Sequence, residues 1–178
     1  ITTTLLTMLK AGDHIIISQF VFGNTNSFAN TLQRLGIEVT MADVTKADNV
    51  KSAIKENTRI VFVETIANPV TQVADLKHIG DLCKENSLVY MVDNTMTPAY
   101  LFSAKSVGAS LVVNSLTKYS AGHGQVLGGA VIDTGLYDWN NFPGILDAIR
   151  AVPTEQQALT QIKKKGLRDM GGSLTPDS

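Results

Sequence analysis

The segment richest in possible chemistry is Asn114-Ser-Leu-Thr-Lys-Tyr-Ser-Ala-Gly-His-Gly-Gln-Val-Leu-Gly-Gly129. Lys118 follows the apolar run SLVVN (110–114) almost at once, with the hydroxyls of Ser115 and Thr117 beside it and a glycine-rich stretch after it. Hydroxyls and backbone N–H groups at a strand end can hold a phosphate. A lysine kept in an apolar crevice loses part of its preference for the ammonium, because burial disfavours the charge. The neutral amine can then form a Schiff base. The same pattern also describes a solvated lysine followed by turn glycines.

Three other segments carry candidate groups. In LVYMVDNTMTP, Asp93 closes an apolar run. There it either starts a turn or lies at a crevice floor, where a carboxylate can pair with a buried cation such as a protonated pyridine nitrogen. In Glu64-Thr-Ile-Ala-Asn-Pro69, Asn68 precedes a proline that biases it away from helix. In Phe20-Val-Phe-Gly-Asn-Thr25, Phe22 is either core or an aromatic able to stack on a planar ring. Rival motifs are weak. Gly122-His-Gly-Gln-Val-Leu-Gly128 misses the dinucleotide glycine spacing by one residue, and there is no P-loop. His14, His78 and His123 lack metal-ligand spacing, so no metal site is expected. Cys83 reads as a small core residue. Lys163, Lys164 and Lys165 read as a solvated helix face.

The elements that must position these groups alternate. Strands are expected at 14–18, 37–41, 59–64, 88–93, 110–114 and 128–133. Helices are expected at 25–35, 46–55, 73–86 and, in a short form, 101–107. Residues 134–153 read as a broken, loop-rich connection, and 154–168 as a helix leading away from the core. This order argues for an α/β fold: a mostly parallel sheet flanked by helices, with right-handed crossovers. In such sheets ligands sit beyond the carboxyl ends of the strands. Glu64, Asp93 and the 114–118 segment all follow strands.

The composition fits this. In 178 residues, Lys+Arg is 15 and Asp+Glu is 16, a net charge of −1, which excludes a general electrostatic affinity for nucleic acid. Hydrophobic residues are 44% and charged residues 17%, a globular balance. One cysteine allows no internal disulfide and leans towards a reducing, cytoplasmic setting. No apolar run reaches the ~18–20 residues that span a membrane. The sequence opens on a helical run and closes on turn-like GGSLTPDS, which reads as part of a longer enzyme.

Taken in order, ITTTLL, GDHI, E-T-x-x-N-P, VDNT and S-x-T-K-Y-x-x-G-H-G resemble the cysteine/methionine-metabolism family of pyridoxal-phosphate-dependent enzymes. The resemblance runs through nearly the whole chain. It implies the large cofactor-binding domain of a fold-type I (aspartate-aminotransferase-like) enzyme over residues 1–150. Residues 151–178 would then be a helix and connector towards a C-terminal domain. It implies pyridoxal 5′-phosphate as cofactor, with Lys118 as its Schiff-base and catalytic residue. Asp93 would face the pyridine nitrogen, Ser115 and Thr117 the phosphate, and Asn68 the phenolic oxygen, with the Phe22 ring stacked on the cofactor. It implies a small amino-acid substrate and a homotetramer of active dimers.

Within the family, Trp139–Phe142 and the run Lys165-Gly-Leu-Arg-Asp-Met-Gly-Gly-Ser-Leu-Thr-Pro176 look most like the O-acetylhomoserine sulfhydrylases. Cystathionine γ-synthase and methionine γ-lyase are the alternatives within the family. An inactive homologue, or a cofactor-free α/β binding module, is the alternative outside enzymes. Three positions depart from the family pattern: Phe22 stands where Tyr is usual, Ser110 where an acidic or amide residue is usual, and Ser120 where a bulky aliphatic residue is usual. The Phe22 change removes a phenolic O–H that could pass a proton to a leaving group.

Overall fold

A computed structural model describes residues 1–171. Its strands are β1 (His14–Ser18), β2 (Glu38–Ala42), β3 (Thr58–Glu64), β4 (Val89–Asp93), β5 (Leu111–Ser115) and β6 (Gly129–Asp133). They form one sheet in the order β2-β1-β3-β4-β5-β6. Strands β1 to β5 run parallel, and β6 returns antiparallel to β5. The expected mostly parallel α/β sheet is therefore present.

The apolar runs make sense once both faces are seen to be covered. Along a strand, alternate residues point to opposite faces. Ile15, Ile17, Ile60, Phe62, Val89, Met91, Leu111 and Val113 pack into one core. Ile16, Val61, Val63, Tyr90, Val92 and Val112 pack into the other. The first core is closed by α1 (Thr2–Met8), α2 (Gly23–Arg34) and α5 (Thr154–Gln161), with Trp139 and Phe142 from the loop-rich connection. The second is closed by α3 (Ala47–Ala53), α4 (Leu76–Glu85) and the 3-10 turn Ala104–Val107. A strand covered on both faces has no need of polar alternation.

Three expectations are corrected. The helix read from 73 begins at Leu76, because Val73 forms an isolated antiparallel bridge with Ile66. The intervening loop closes on itself, with Ala67 N–H on the Gln72 carbonyl and Thr71 N–H on the Ala67 carbonyl. Those hydrogen bonds override the helical spacing of Val73. The short helix at 101–107 is the 3-10 turn Ala104–Val107.

The third correction concerns residues 154–168, which do not lead away from the core. Ala158 and Ile162 are buried in it, and α5 continues as a π-helical stretch, Ile162–Arg168, against α1. Gln161 ties this segment down: its amide nitrogen donates to the Thr7 and Gly144 carbonyls, and its oxygen accepts the Leu146 N–H. Residues 172–176 of the run read as sulfhydrylase-like lie outside the described residues. Among the described residues, no helix is long and apolar enough to cross a membrane.

Candidate functional site

The order β2-β1-β3 means that the chain leaves β1 towards one side of the sheet and later builds β3 on the other. Loops after β1 and β3 therefore diverge and leave a crevice at the carboxyl ends of the strands. Register then aligns the strand ends. Glu64 pairs with Asp93, and Asp93 with Val113, two residues before Ser115. Parity does the rest. Glu64 follows Phe62 by two residues, Asp93 follows Met91 and Ser115 follows Val113, so all three point to the face of the first core.

All six residues expected at the site come together. Phe22, Asn68, Asp93, Ser115, Thr117 and Lys118 line one cavity of about 830 Å³. A larger space of about 1370 Å³ opens beside it towards α1 and β6, and shares Asp93 and Ser115 with it. Phe22 is 43% exposed, so its ring is free to stack on a guest. Lys118 lies exposed on the cavity wall within the turn that follows β5. The apolar crevice expected around its amine is not supplied by the described residues.

The carboxylates behave differently from surface acids. Asp93 is partly buried at the strand end, and burial pushes its carboxyl up, against a lowering from its hydrogen bonds to Thr95. Oδ1 accepts the Thr95 N–H at 2.9 Å, while Oδ2 has no partner among the described residues. Thr95 in turn accepts the Ser115 N–H on its hydroxyl at 2.8 Å, which links the ends of β4 and β5. Glu64 is also raised, first by burial, against the Phe22 N–H it accepts, with Asp93 adding a repulsion.

The two hydroxyls beside Lys118 are not equivalent. Thr117 Oγ1 accepts the Gly128 N–H at 3.0 Å and faces the Gly128 carbonyl at 3.3 Å, so it pins the glycine-rich loop to the strand end. Ser115 Oγ has no hydrogen-bond partner among the described residues and stays available to a ligand. Asn68 follows the Glu64 loop and precedes a cis Asn68–Pro69 bond.

Sequence reasoning missed Thr95 and, although it placed Glu64 at a strand end, missed what Glu64 holds. Thr95 orients Asp93, and the signal was present: an Asp followed two residues later by a backbone donor is an Asx turn. Glu64 binds the Phe22 and Asn68 N–H groups, a long-range pairing that no local spacing announces.

This donor set fits pyridoxal phosphate. The group has a flat heterocycle with a protonable nitrogen, a phenolic oxygen, an aldehyde and a phosphate. The cavity presents an aromatic face, a partly buried carboxylate with one unpartnered oxygen, an amide, an unpartnered hydroxyl and a primary amine. A carboxylate that burial makes costly to ionise gains from a cation placed against its free oxygen.

Comparison with known proteins agrees. The family described as Cys/Met metabolism PLP-dependent enzyme matches residues 1–177. An L-methionine gamma-lyase of Fusobacterium nucleatum subsp. polymorphum is 42% identical over 161 residues, covering 89% of this chain and 41% of that protein. The O-acetylhomoserine sulfhydrylase of the methionine biosynthetic pathway of Wolinella succinogenes superposes with a TM-score of 0.90 at 37% identity, over 99% of this chain and 50% of that one. A Campylobacter jejuni structure described as an O-acetylhomoserine (thiol)-lyase superposes with a TM-score of 0.87 at 28% identity, over 98% of this chain and 46% of that one. It contains N′-pyridoxyl-lysine-5′-monophosphate. The chain thus spans about two-fifths to one-half of the length of these relatives.

Proposed function

The chain belongs to the Cys/Met-metabolism family of pyridoxal-phosphate-dependent enzymes, and from that membership we propose that the protein joins O-acetylhomoserine and sulfide to give homocysteine and acetate. The observation that carries the reading is the single cavity that gathers Lys118, Asp93, Ser115, Thr117, Asn68 and Phe22. The sulfhydrylase choice within the family is supported by the sequence likeness of Trp139–Phe142 and by the likeness to the Wolinella enzyme.

Pyridoxal phosphate, when bound, supplies an electron sink for the negative charge that develops at the substrate Cα. The chain's own residues bind, orient and move protons. Asp93 would partner the pyridine nitrogen and keep it protonated. The Asn68 amide would donate to the phenolic oxygen. The Phe22 ring would stack on the heterocycle and keep water off it. Ser115 Oγ would donate to the phosphate, with Thr117 holding the glycine-rich loop beside it. Lys118 Nζ would hold the cofactor covalently, and its free amine would serve as general base for the Cα proton. In the whole reaction the Cγ–O bond to acetate breaks and a Cγ–S bond forms. Phe22 has no phenolic O–H, so leaving-group protonation is assigned to water or to another side chain.

Methionine γ-lyase activity is the second reading, favoured by the 42% identity to the Fusobacterium enzyme. Product analysis on the whole protein, loaded with cofactor, separates the two. Homocysteine formed from O-acetylhomoserine only when sulfide is present supports replacement. Methanethiol, 2-oxobutanoate and ammonia from methionine support elimination. A whole protein whose visible spectrum ignores both substrates would instead be an inactive homologue. On the leading reading, residues 1–150 belong to the cofactor-binding domain, with Ala158 and Ile162 packed into the same core. The active species on this reading is a homotetramer built from two active dimers, which a native mass measurement tests.

A further inference from the structure

β3 ends on Glu64, whose carboxylate uses its two oxygens on two different loops. One oxygen, Oε1, accepts the Phe22 N–H at 2.8 Å, and the other, Oε2, accepts the Asn68 N–H at 3.3 Å. Glu64 is only 8% exposed. The Phe22 end of this link matters because Phe22 is the N-cap of α2 and has no side-chain cap of its own, and α2 has no acidic residue in its first turn. An anion at a helix N-terminus is favourable, and here it is imported from a strand 42 residues along the chain. The Asn68 end matters because the loop after β3 is anchored to the sheet at its ends, by the Thr65 N–H on the Asp93 carbonyl and the Asp75 N–H on the Val44 carbonyl, while between them Ala67 and Thr71 hydrogen-bond only within the loop itself. A carboxylate is planar and stiff, so holding both N–H groups on it fixes the distance between the Phe22 and Asn68 backbones.

We propose that Glu64 is a positioning residue that sets the spacing between the Phe22 ring and the Asn68 amide, and with it the width of the slot that receives the cofactor ring. The inference rests on the cofactor-site reading above and deepens it. Glu64 lies on the wall of the same cavity, but both of its oxygens are taken by the two backbones it holds, and it acts through them. Sequence inspection alone finds Glu64 only as a strand-terminal acid.

The test uses Glu64→Gln and Glu64→Ala in the whole protein. Glutamine keeps the shape and one accepting oxygen, but its NH2 end cannot accept a hydrogen bond. Glu64→Gln is expected to bind pyridoxal phosphate about tenfold more weakly, and Glu64→Ala more weakly still. The visible circular dichroism of the bound chromophore, which senses ring orientation, is expected to change in both, with the far-ultraviolet spectrum preserved. A merely structural Glu64 would lower the melting temperature while folded protein kept wild-type affinity and wild-type visible dichroism, and that result would overturn the proposal. Hydrogen exchange on the wild-type protein gives a check that needs no variant. The Phe22 and Asn68 amides, which have no other acceptor, are expected to exchange slowly, and rapid exchange of both would overturn it too. Wild-type protein that takes up no cofactor would sink the cofactor-site reading and this inference with it, whereas a loaded wild type with indifferent variants would sink this inference alone.

Discussion

At the scale of single residues, the site is a set of groups held in states that are costly without a partner. Asp93 is the clearest case. Burial raises its carboxyl, and one of its oxygens has no partner among the described residues. For an acid whose folded pKa is raised, the charged form is destabilising above that pKa, and the cost disappears as the pH falls through it. Asp93→Asn should therefore raise the melting temperature of the cofactor-free protein at pH 8. The gain should shrink on going to pH 4. The same variant should lose most activity, because an amide cannot keep the pyridine nitrogen protonated. A variant no more stable than wild type at pH 8 would argue against an uncompensated carboxylate. Lys118→Ala should cost several orders of magnitude in turnover, since tether and base go together. Near-normal turnover by a folded variant would refute that role. Phe22→Leu should weaken cofactor binding roughly tenfold, the rough worth of one ring contact. An unchanged dissociation constant would remove Phe22 from the site.

At the scale of elements, the strand ends are aligned by the packing behind them. The 3-10 turn Ala104–Val107 leads into β5, which carries Ser115 and then Lys118, and it rests directly on α4. Gly80 makes that contact possible. A Cβ there would lie 1.8 Å from the Val107 carbonyl oxygen and 3.0 Å from its carbon. Backbone atoms cannot yield as a side-chain tip can, so the turn would have to move and β5 with it. Gly80→Ala should destabilise the protein by about 3 kcal/mol, read by denaturant unfolding, and should weaken cofactor binding although Gly80 is remote from the cavity. A stable Gly80→Ala variant with intact binding would show that β5 is positioned independently of α4. Element boundaries were readable in the sequence where one force dominated. The apolar runs at 14–18 and 88–93 appear as β1 and β4 within a residue, because burial on both faces leaves no competing pattern. Val73 was misread, since its cross-loop bridge to Ile66 is not a local property.

At the scale of the whole molecule, the two ends of the parallel strands have different tasks. The carboxyl ends hold the crevice. The amino ends hold the sheet together, and His14 is central there: its ring is fully buried, Nδ1 lies 2.7 Å from Thr58 Oγ1 and Nε2 lies 2.8 Å from Thr40 Oγ1. It thus joins β1 to β2 and β3. Burial lowers its pKa below 6.5, with nearby Lys55 acting in the same direction. The unfolded chain takes up this proton near its ordinary value while the folded one resists. His14 therefore costs nothing above about pH 6.5, and the stability falls as the pH drops below that value until the folded pKa is passed. The loss is at most about 1.4 kcal/mol per pH unit. Unfolding at pH 7.5 and pH 5.5 should show a larger drop for wild type than for His14→Gln. Equal drops would mean that the ring is not buried neutral.

The sequence by itself determined the class of fold, the family and the chemical types at the site. These follow from local, short-range facts: apolar runs long enough for strands, hydroxyls and a lysine adjacent along the chain, and ordered motifs. Tertiary structure alone decided which of them meet and how each is held. Register brought Glu64, Asp93 and Ser115 to one face and one edge. It also gave Thr117 to Gly128 and left Ser115 free, and it packed residues 154–168 onto the core instead of away from it. The physical reason is that hydrogen bonds and burial between residues tens of positions apart depend on strand order and register, which no local spacing encodes.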